Sequence, residues 1–306
     1  MKAIVIGGSG FIGSYITQEL VKQNITTLVY DNFSMGDINN LSSIKSKIQI
    51  IKADVTNLEQ LQASMEGVNY VFHLAAQTSV TESLLDPFLT NQINNTGTLN
   101  VLWSALKAKV SRVIIASSCS VYGDIHQPPL QESYLPNPKS PYAASKLIAE
   151  AFSETFYHSY GLETICLRYF NVYGLLQRAN SDYAAVIPRF VECYRQNKSP
   201  QIYGSGHQSR DFVHVSDVAR ANILAAMLPS SIVSKHRVFN IGTGIKTNLL
   251  ELLDLISKHT NHYLEPTFLS SRQGEVEHSC ASLNLAQEKL DFRALVSLEE
   301  GMKTLL

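Results

Sequence analysis

Neither sign of charge prevails in this chain: 25 Lys and Arg stand against 26 Asp and Glu in 306 residues, a formal net charge of −1. So balanced a chain offers no basic face to nucleic acid and no polybasic patch to a membrane, and any phosphate it binds must be held locally. Cysteine is scarce. Cys119, Cys166, Cys193 and Cys280 neither form a C-x-x-C pair nor cluster, which argues against a thiolate zinc site and a disulfide framework and points to a reducing, cytoplasmic compartment. The nine histidines show no H-x-H or H-E-x-x-H spacing, so no metal is expected and His73 reads as structural. Long apolar runs are lacking too: the first, AIVIGG, is too short for a signal peptide or a membrane span and reads as the opening of the fold. No repeat or low-complexity tract interrupts the chain.

What is present is a regular pattern. Hydrophobic residues make up 45% of the chain, enough to bury a large core over one large domain or two coupled ones. Short β-branched runs alternate with helical patterns: AIVIG, FIGSYITQELVKQ, TTLVYD, IQIIKAD, YVFHLAA, a stretch from about Asp86 to Lys109, then RVIIASS. That rhythm marks βαβ units, and strands apolar along their whole length belong to parallel sheets covered on both faces. The expected fold is therefore α/β, a Rossmann-type doubly wound parallel sheet. After TICLRYFNVYG the rhythm changes, with helical patterns near 184–196, 215–227 and 247–258 between joints rich in Gly, Pro and Ser. No linker is long enough to hold two units apart, so a smaller C-terminal substrate lobe interleaves with the first. The expected division gives 1–173, and about 207–242 on its return, to the nucleotide-binding unit, and 174–206 with 243–306 to the lobe.

Directly after the first strand, GGSGFIG sets Gly7, Gly10 and Gly13 at the opening of a helix, with Phe11 and Ile12 inside the same turn. The spacing suits a tight turn, close backbone approach to a pyrophosphate and close packing of helix on strand, with the pyrophosphate over the helix N-terminus. Asp31 ends the second strand in VYDNFS, followed by Asn32. Its carboxylate can accept hydrogen bonds from adenosine ribose hydroxyls and would repel a 2′-phosphate, which favours NAD over NADP.

The fifth strand runs into ASSCSVYGD, and ligands of open α/β sheets sit at the carboxyl ends of strands, so Ser117, Ser118 and Ser120 emerge at the right edge. A helix starting at Ser140 or Pro141 in SPYAASK would carry Tyr142 and Lys146 back toward Ser118. Spacing alone does not decide, because Tyr194 and Lys198 in YRQNK repeat the interval; they have no strand end before them and are expected on a solvated helix face. A phenol near pKa 10 needs a neighbouring cation to act as a base, and Lys146 or an oxidised nicotinamide would supply one. Tyr142 could then take a proton from a substrate hydroxyl while the carbon beneath gives up a hydride, with Ser118 orienting that hydroxyl.

Taken together, GGSGFIG, YDNFS, ADVTN, HLAAQTSV, SSCSVYG, SPYAASK, LRYFNVYG, SRDFVHVSDVA and RQGEVEHS resemble the extended short-chain dehydrogenase/reductases that act on nucleotide sugars, over nearly the whole chain. The likeness is strongest to UDP-hexose 4-epimerases, and YAAVIPRF is similar to the branch acting on UDP-N-acetylhexosamines. By this resemblance Asp54 and Val55 edge the adenine pocket, Ala75, Ala76 and Asn94 line the dinucleotide groove, and Phe170 lies near the nicotinamide. It implies further that Asn171, Arg210 and Arg272 hold the diphosphate, that Glu275 contacts the uridine ribose, that Val186 and Tyr203 grip the uracil, and that Ser79 lies beside the sugar. Ser279 matches a gate position that is small where N-acetylated sugars are admitted. A homodimer through the helices near 86–109 and 139–160 is also implied.

The chain departs from the resembling family at Leu175-Leu176, where Pro-Arg is usual, and at Ser282, where an acidic residue often stands. Dehydratase relatives carry an acidic pair in the slot of Ser118 and Cys119; its absence favours epimerisation, through a 4-keto sugar that turns about its diphosphate linkage. The expected activity is NAD-dependent 4-epimerisation of UDP-N-acetylglucosamine, with UDP-glucose as a further substrate. Alternatives are a UDP-glucuronate 4-epimerase, a reductase, or an NAD-binding module without catalysis.

Overall fold

Strand β1 (Lys2–Ile6) buries Ile4, Val5 and Ile6 completely in this computed structural model, which describes residues 1–178, 185–270 and 276–306. Burial on both faces explains why the run is apolar without alternation. Helix α1 (Phe11–Lys22) leads to β2 (Thr26–Asp31) and β3 (Ile48–Lys52), which add outward from β1 in parallel. Helix α2 (Leu58–Ser64) returns the chain to β4 (Tyr70–His73) on the opposite side of β1. Short helices α3 (Val80–Leu85) and α4 (Pro87–Thr90), a π-helical turn over Asn91–Thr96 and α5 (Gly97–Lys107) connect to β5 (Arg112–Ser118), and α6 (Pro141–Tyr160) connects to β6 (Glu163–Tyr169).

Past β7 (Asn171–Tyr173) the chain builds α7 (Val186–Arg195), β8 (Gln201–Tyr203), β9 (Ser209–Arg210), β10 (Phe212–His214), α8 (Val215–Met227) and α9 (Ser230–Val233). It then returns to the sheet with β11 (Val238–Ile241), which pairs with β6. The result is a seven-stranded parallel sheet in the order β11-β6-β5-β4-β1-β2-β3. Strand β12 (Thr247–Asn248), α10 (Leu249–Thr260), β13 (Thr267–Leu269), α11 (Asn284–Leu290) and α12 (Leu298–Lys303) follow.

Two cores cover the sheet. On one face Ile16 and Leu20 of α1 and Val218, Ala221 and Ala225 of α8 pack on Val5 and Phe72; on the other, Leu61, Val101, Leu102 and Phe156 pack on Ile4, Ile6 and Val71. This is the doubly wound arrangement the strand rhythm calls for. Each large apolar side chain among them contributes roughly 1.5–3 kcal/mol by leaving water. A third core, with Tyr173, Phe190, Ile202, Leu252 and Met302, lies among α7, β8, α10 and α12.

Tyr194 belongs to that third core, and the expectation of a solvated face is wrong. It is 8% exposed, and its hydroxyl shares a 2.6 Å hydrogen bond with Ser257 Oγ. Helix α7 stops at Arg195 and Asn197 takes a left-handed φ of 52°, so Lys198 lies beyond the helix and never shares a face with Tyr194. The true helical pair sits on α6, whose start is written locally: Ser140 accepts from the Ala143 amide at 3.1 Å and Pro141 occupies the first turn, while Gly161 ends it in the left-handed region at φ 71°.

Candidate active site

The turn between β1 and α1 has room for backbone only. A Cβ on Gly7, whose φ is +83°, would lie 2.7 Å from the Ala75 amide nitrogen, and one on Gly13 would lie 2.1 Å from the Gly7 carbonyl oxygen. Gly10 caps α1 without a side-chain hydrogen bond, leaving the first-turn amides of Phe11, Ile12 and Gly13 directed away from the helix. Beside them Ser9 Oγ is buried with no partner. Asp31 is buried; one of its oxygens accepts from the Ser9 amide at 2.9 Å and the other from the Phe33 amide at 2.8 Å. Each oxygen keeps further acceptor capacity for a ligand hydroxyl. This bare-backbone cradle, with an orphan hydroxyl and a half-used carboxylate, fits a dinucleotide.

Asn32 donates to Asp54 at 2.7 Å, and Tyr30 OH donates to the Asp54 carbonyl, so the second and third strand ends are tied together around the expected adenine side; Val55 is buried there. Ala75, Ala76, Asn94 and Lys146 line one small cavity at the carboxyl end of β4. Asn94 uses its whole amide as a brace: Oδ1 accepts from the Gln77 amide at 2.7 Å, and Nδ2 donates to the Gln77 carbonyl at 3.0 Å and to Ser145 Oγ at 2.8 Å. The π-helical turn thereby locks the groove to α6. Gly36 is an addition that no motif announced: a Cβ there would strike Ser9 Oγ and crowd Asp31.

Ser118, at the end of β5, hydrogen-bonds Tyr142 on α6. It also accepts from the Ser120 hydroxyl at 2.9 Å and the Ser120 amide at 3.2 Å. Ser117 does not emerge with it, contrary to expectation. Side chains alternate along a strand, and Ser117 points to the opposite face, donating to Glu150 of α6 at 2.5 Å. Glu150 in turn takes two hydrogen bonds from Arg168 of β6, at 2.9 and 2.7 Å. This buried brace sets α6, and so Tyr142, against β5.

Burial pushes the Tyr142 phenol up to about 12, and the Ser118 hydrogen bond opposes it. Lys146 is also buried, which presses its amine down to about 8. Its Nζ donates to the Ala116 carbonyl at 2.9 Å and stands 5.8 Å from the centre of the Tyr142 ring. The ammonium leans over the ring, and Ser118 makes the direct contact with the hydroxyl. His73, below, is pushed down to about 3 by burial and then by Lys146; its Nε2 meets Thr98 at 2.9 Å and its Nδ1 is buried without a partner. Its expected structural role fits this neutral, packed ring.

Asn171, Val186, Tyr203 and Arg210, widely spaced in the chain, line a single cleft between the sheet edge and the third core. Asn171 Oδ1 is buried there with no partner. Sequence reasoning missed Arg189, Gln177 and Gln208 on the same walls; Arg189 stands 5.7 Å from the Tyr203 ring centre. No local pattern singles them out. Ser279 is 7% exposed and faces Cys119 across the end of β5 in a hydrogen-bonded contact. Phe170 packs with Val121, Tyr122, Leu130, Ala281 and Leu283, beneath the loop that carries Ser118. The Ser79 hydroxyl caps α3, accepting from the Glu82 amide at 3.1 Å. Arg272 and Glu275, and Tyr183 and Ala184 of YAAVIPRF, lie outside the described residues.

The sequence pattern of the NAD dependent epimerase/dehydratase family matches residues 3–242. The UDP-N-acetylglucosamine 4-epimerase of Methanobrevibacter ruminantium M1, solved with UDP-N-acetylmuramic acid, superposes with a TM-score of 0.94 at 36% identity, covering 99% of this chain and 96% of that one. The UDP-glucose 4-epimerase of Thermotoga maritima, solved with UDP-glucose, gives 0.94 at 35% identity over 100% and 97%. The UDP-glucuronate 4-epimerase of Thermodesulfobacterium geofontis is 30% identical over 98% of this chain and 93% of its own length. With its matched motifs, its seven-stranded sheet and its glycine cradle in one frame, the chain belongs to the NAD-dependent epimerase/dehydratase family.

Proposed function

We propose that the protein interconverts UDP-N-acetylglucosamine and UDP-N-acetylgalactosamine, and also accepts UDP-glucose and UDP-galactose. It is an isomerase, an NAD-dependent epimerase acting at C4 of a nucleotide sugar. The observation that carries this reading is the convergence of Ser118, Tyr142 and Lys146 at the carboxyl end of β5, with a small residue, Ser279, across from them.

Bound NAD supplies reversible hydride acceptance at the sugar's C4. The Gly7–Gly13 turn, Asp31 with Asn32, Asp54 with Val55, and the Ala75–Ala76 edge hold the dinucleotide. Ser118 orients the C4 hydroxyl and, through its hydrogen bond, favours the phenolate of Tyr142, which takes the proton and later returns it. Lys146 keeps an ammonium over that ring. Asn171, Val186, Tyr203 and Arg210 anchor UDP in the cleft, and the 4-keto sugar turns about this fixed point to present its other face. The short Ser279 side chain leaves space for an acetamido group, and this supports the acetylated pair as the preferred one. Residues 174–206 and 243–306 form the lobe that grips the sugar nucleotide.

A homodimer completes the reading. Leu84, Leu85, Phe88 and Leu89 of α3 and α4 and Ile148 of α6 are exposed on helices that pack on one another, and Phe88 is 86% exposed. An apolar face of that kind marks a protein contact.

Proton NMR of UDP-N-acetylglucosamine incubated with the protein and NAD, with UDP-glucose and UDP-glucuronate in parallel, tests the assignment. The galacto anomeric signal should grow fastest from the acetylated sugar and vanish in Tyr142→Phe, which still binds NAD. Conversion of UDP-glucuronate alone would overturn the substrate assignment; equal turnover in Tyr142→Phe would overturn the catalytic one.

A further inference from the structure

Asp211 has no role in the scheme above, yet its carboxylate is saturated. It is 0% exposed. Its Oδ1 accepts from the Thr243 amide at 2.7 Å and the Thr243 hydroxyl at 2.6 Å, and its Oδ2 from the Gly244 amide at 2.9 Å and the Ala281 amide at 3.1 Å. These occupy about all the lone-pair positions a carboxylate has. Gly242 must be bare to admit it, since a Cβ there would lie 2.6 Å from Oδ2. The carboxylate therefore ties its own segment to those of Thr243 and Ala281.

Those segments matter for their neighbours. Arg210 directly precedes Asp211, and Ser279 lies two residues before Ala281. Further bonds run alongside the clasp: the Ser209 amide donates to the Glu277 carbonyl at 3.0 Å, the Ser279 amide to the Ser209 carbonyl at 3.0 Å, and Arg210 Nη1 to the Glu277 carbonyl at 3.2 Å. On its other side the segment is pinned by the Leu130 amide to the Cys280 carbonyl and the Ser282 amide to the Leu130 carbonyl, both 2.8 Å. The strip bearing Ser279 thus hangs between β9 and Leu130, and Asp211 is its one carboxylate anchor among these contacts.

We propose that Asp211 is a positioning residue that sets the width of the sugar pocket, by holding the Ser279 strip at one distance from Arg210 and from the end of β5. The inference rests on the reading of Arg210 and Ser279 given above. Asp211→Asn turns one acceptor oxygen into an amide facing N–H donors, so either the Thr243 pair or the Gly244 and Ala281 pair is lost. Thr243→Val removes one hydroxyl bond only.

In Asp211→Asn, KM for UDP-N-acetylglucosamine should rise roughly tenfold while kcat changes by less than about threefold, the scale of losing a hydrogen bond to a charged group. The ratio of kcat/KM between the acetylated and plain glucose sugars should shift by about fivefold, and NAD affinity should stay unchanged, since the clasp bears on the sugar side alone. Thr243→Val should move KM the same way by about threefold, and it carries the test if Asp211→Asn does not fold. Folded variants that lower the melting temperature but keep KM and the sugar ratio would overturn the inference. Should the wild-type chain convert neither sugar, the epimerase reading fails, and calorimetric affinity for UDP-N-acetylglucosamine relative to UDP then decides: a ratio that shifts in Asp211→Asn sustains the positioning role, and an unchanged ratio overturns it.

Discussion

Tyr142, half-buried, and Tyr194, buried, carry the same hydroxyl and differ in what meets it: Ser118 at a strand end for one, Ser257 inside a helical core for the other. Lys146 shows what burying a cation beside that phenol costs. Burial presses its amine from 10.5 to about 8, a penalty of roughly 3 kcal/mol on holding it charged. Because the folded pKa lies below the unfolded one, the penalty is full below about pH 8 and is relieved as pH rises toward the unfolded lysine's value near 10.4. Lys146→Met should therefore abolish turnover yet raise the melting temperature by a few degrees at neutral pH. The gain in wild-type stability between about pH 8 and 10 should disappear in the variant. Thermal melts across that range check it, and a variant less stable than wild type at pH 7 would show that the Ala116 hydrogen bond outweighs the burial cost.

Between elements, the decisive contact is the brace of Ser117, Glu150 and Arg168, which joins β5, α6 and β6 behind the face that carries Ser118 and Tyr142. Arg168 also lies 4.7 Å from the Tyr122 ring centre, so its guanidinium is held on two sides. Arg168→Met would leave the Glu150 carboxylate buried without its cation, at a cost of about 3–5 kcal/mol. Urea unfolding should register that loss, and adding Glu150→Gln should restore some of it. Because the brace sets α6 against β5, kcat should fall in the single variant although no reacting group is touched. The strands and helices it joins are legible in the sequence, from the run of apolar residues in RVIIASS and the Ser-Pro start of α6. The orientation of Ser117 is not, because a row of serines does not say which of them the pleat turns outward.

At the scale of the molecule, the exposed leucines and Phe88 on α3 and α4 should meet a second copy. Phe88→Glu, with the side chain 86% exposed, cannot upset the interior and should convert a dimer to a monomer in sedimentation, with the helical spectrum unchanged. A wild-type chain that sediments as a monomer would reject the dimer. The cleft itself joins residues from β7, α7, β8 and β9, and its missed members Arg189, Gln177 and Gln208 become visible only when those elements pack.

From the sequence by itself came the parallel sheet, the nucleotide turn and the pair on α6, because each is written within a few residues: strand periods, glycines where a Cβ has no room, a Ser-Pro cap. The tertiary structure alone decided that Tyr194 is buried against Ser257, that Ser117 turns inward to Glu150, and how Asp211 clasps Ala281. Those outcomes depend on contacts between residues far apart in the chain, where packing and the pairing of buried polar groups choose the partners and local pattern is silent.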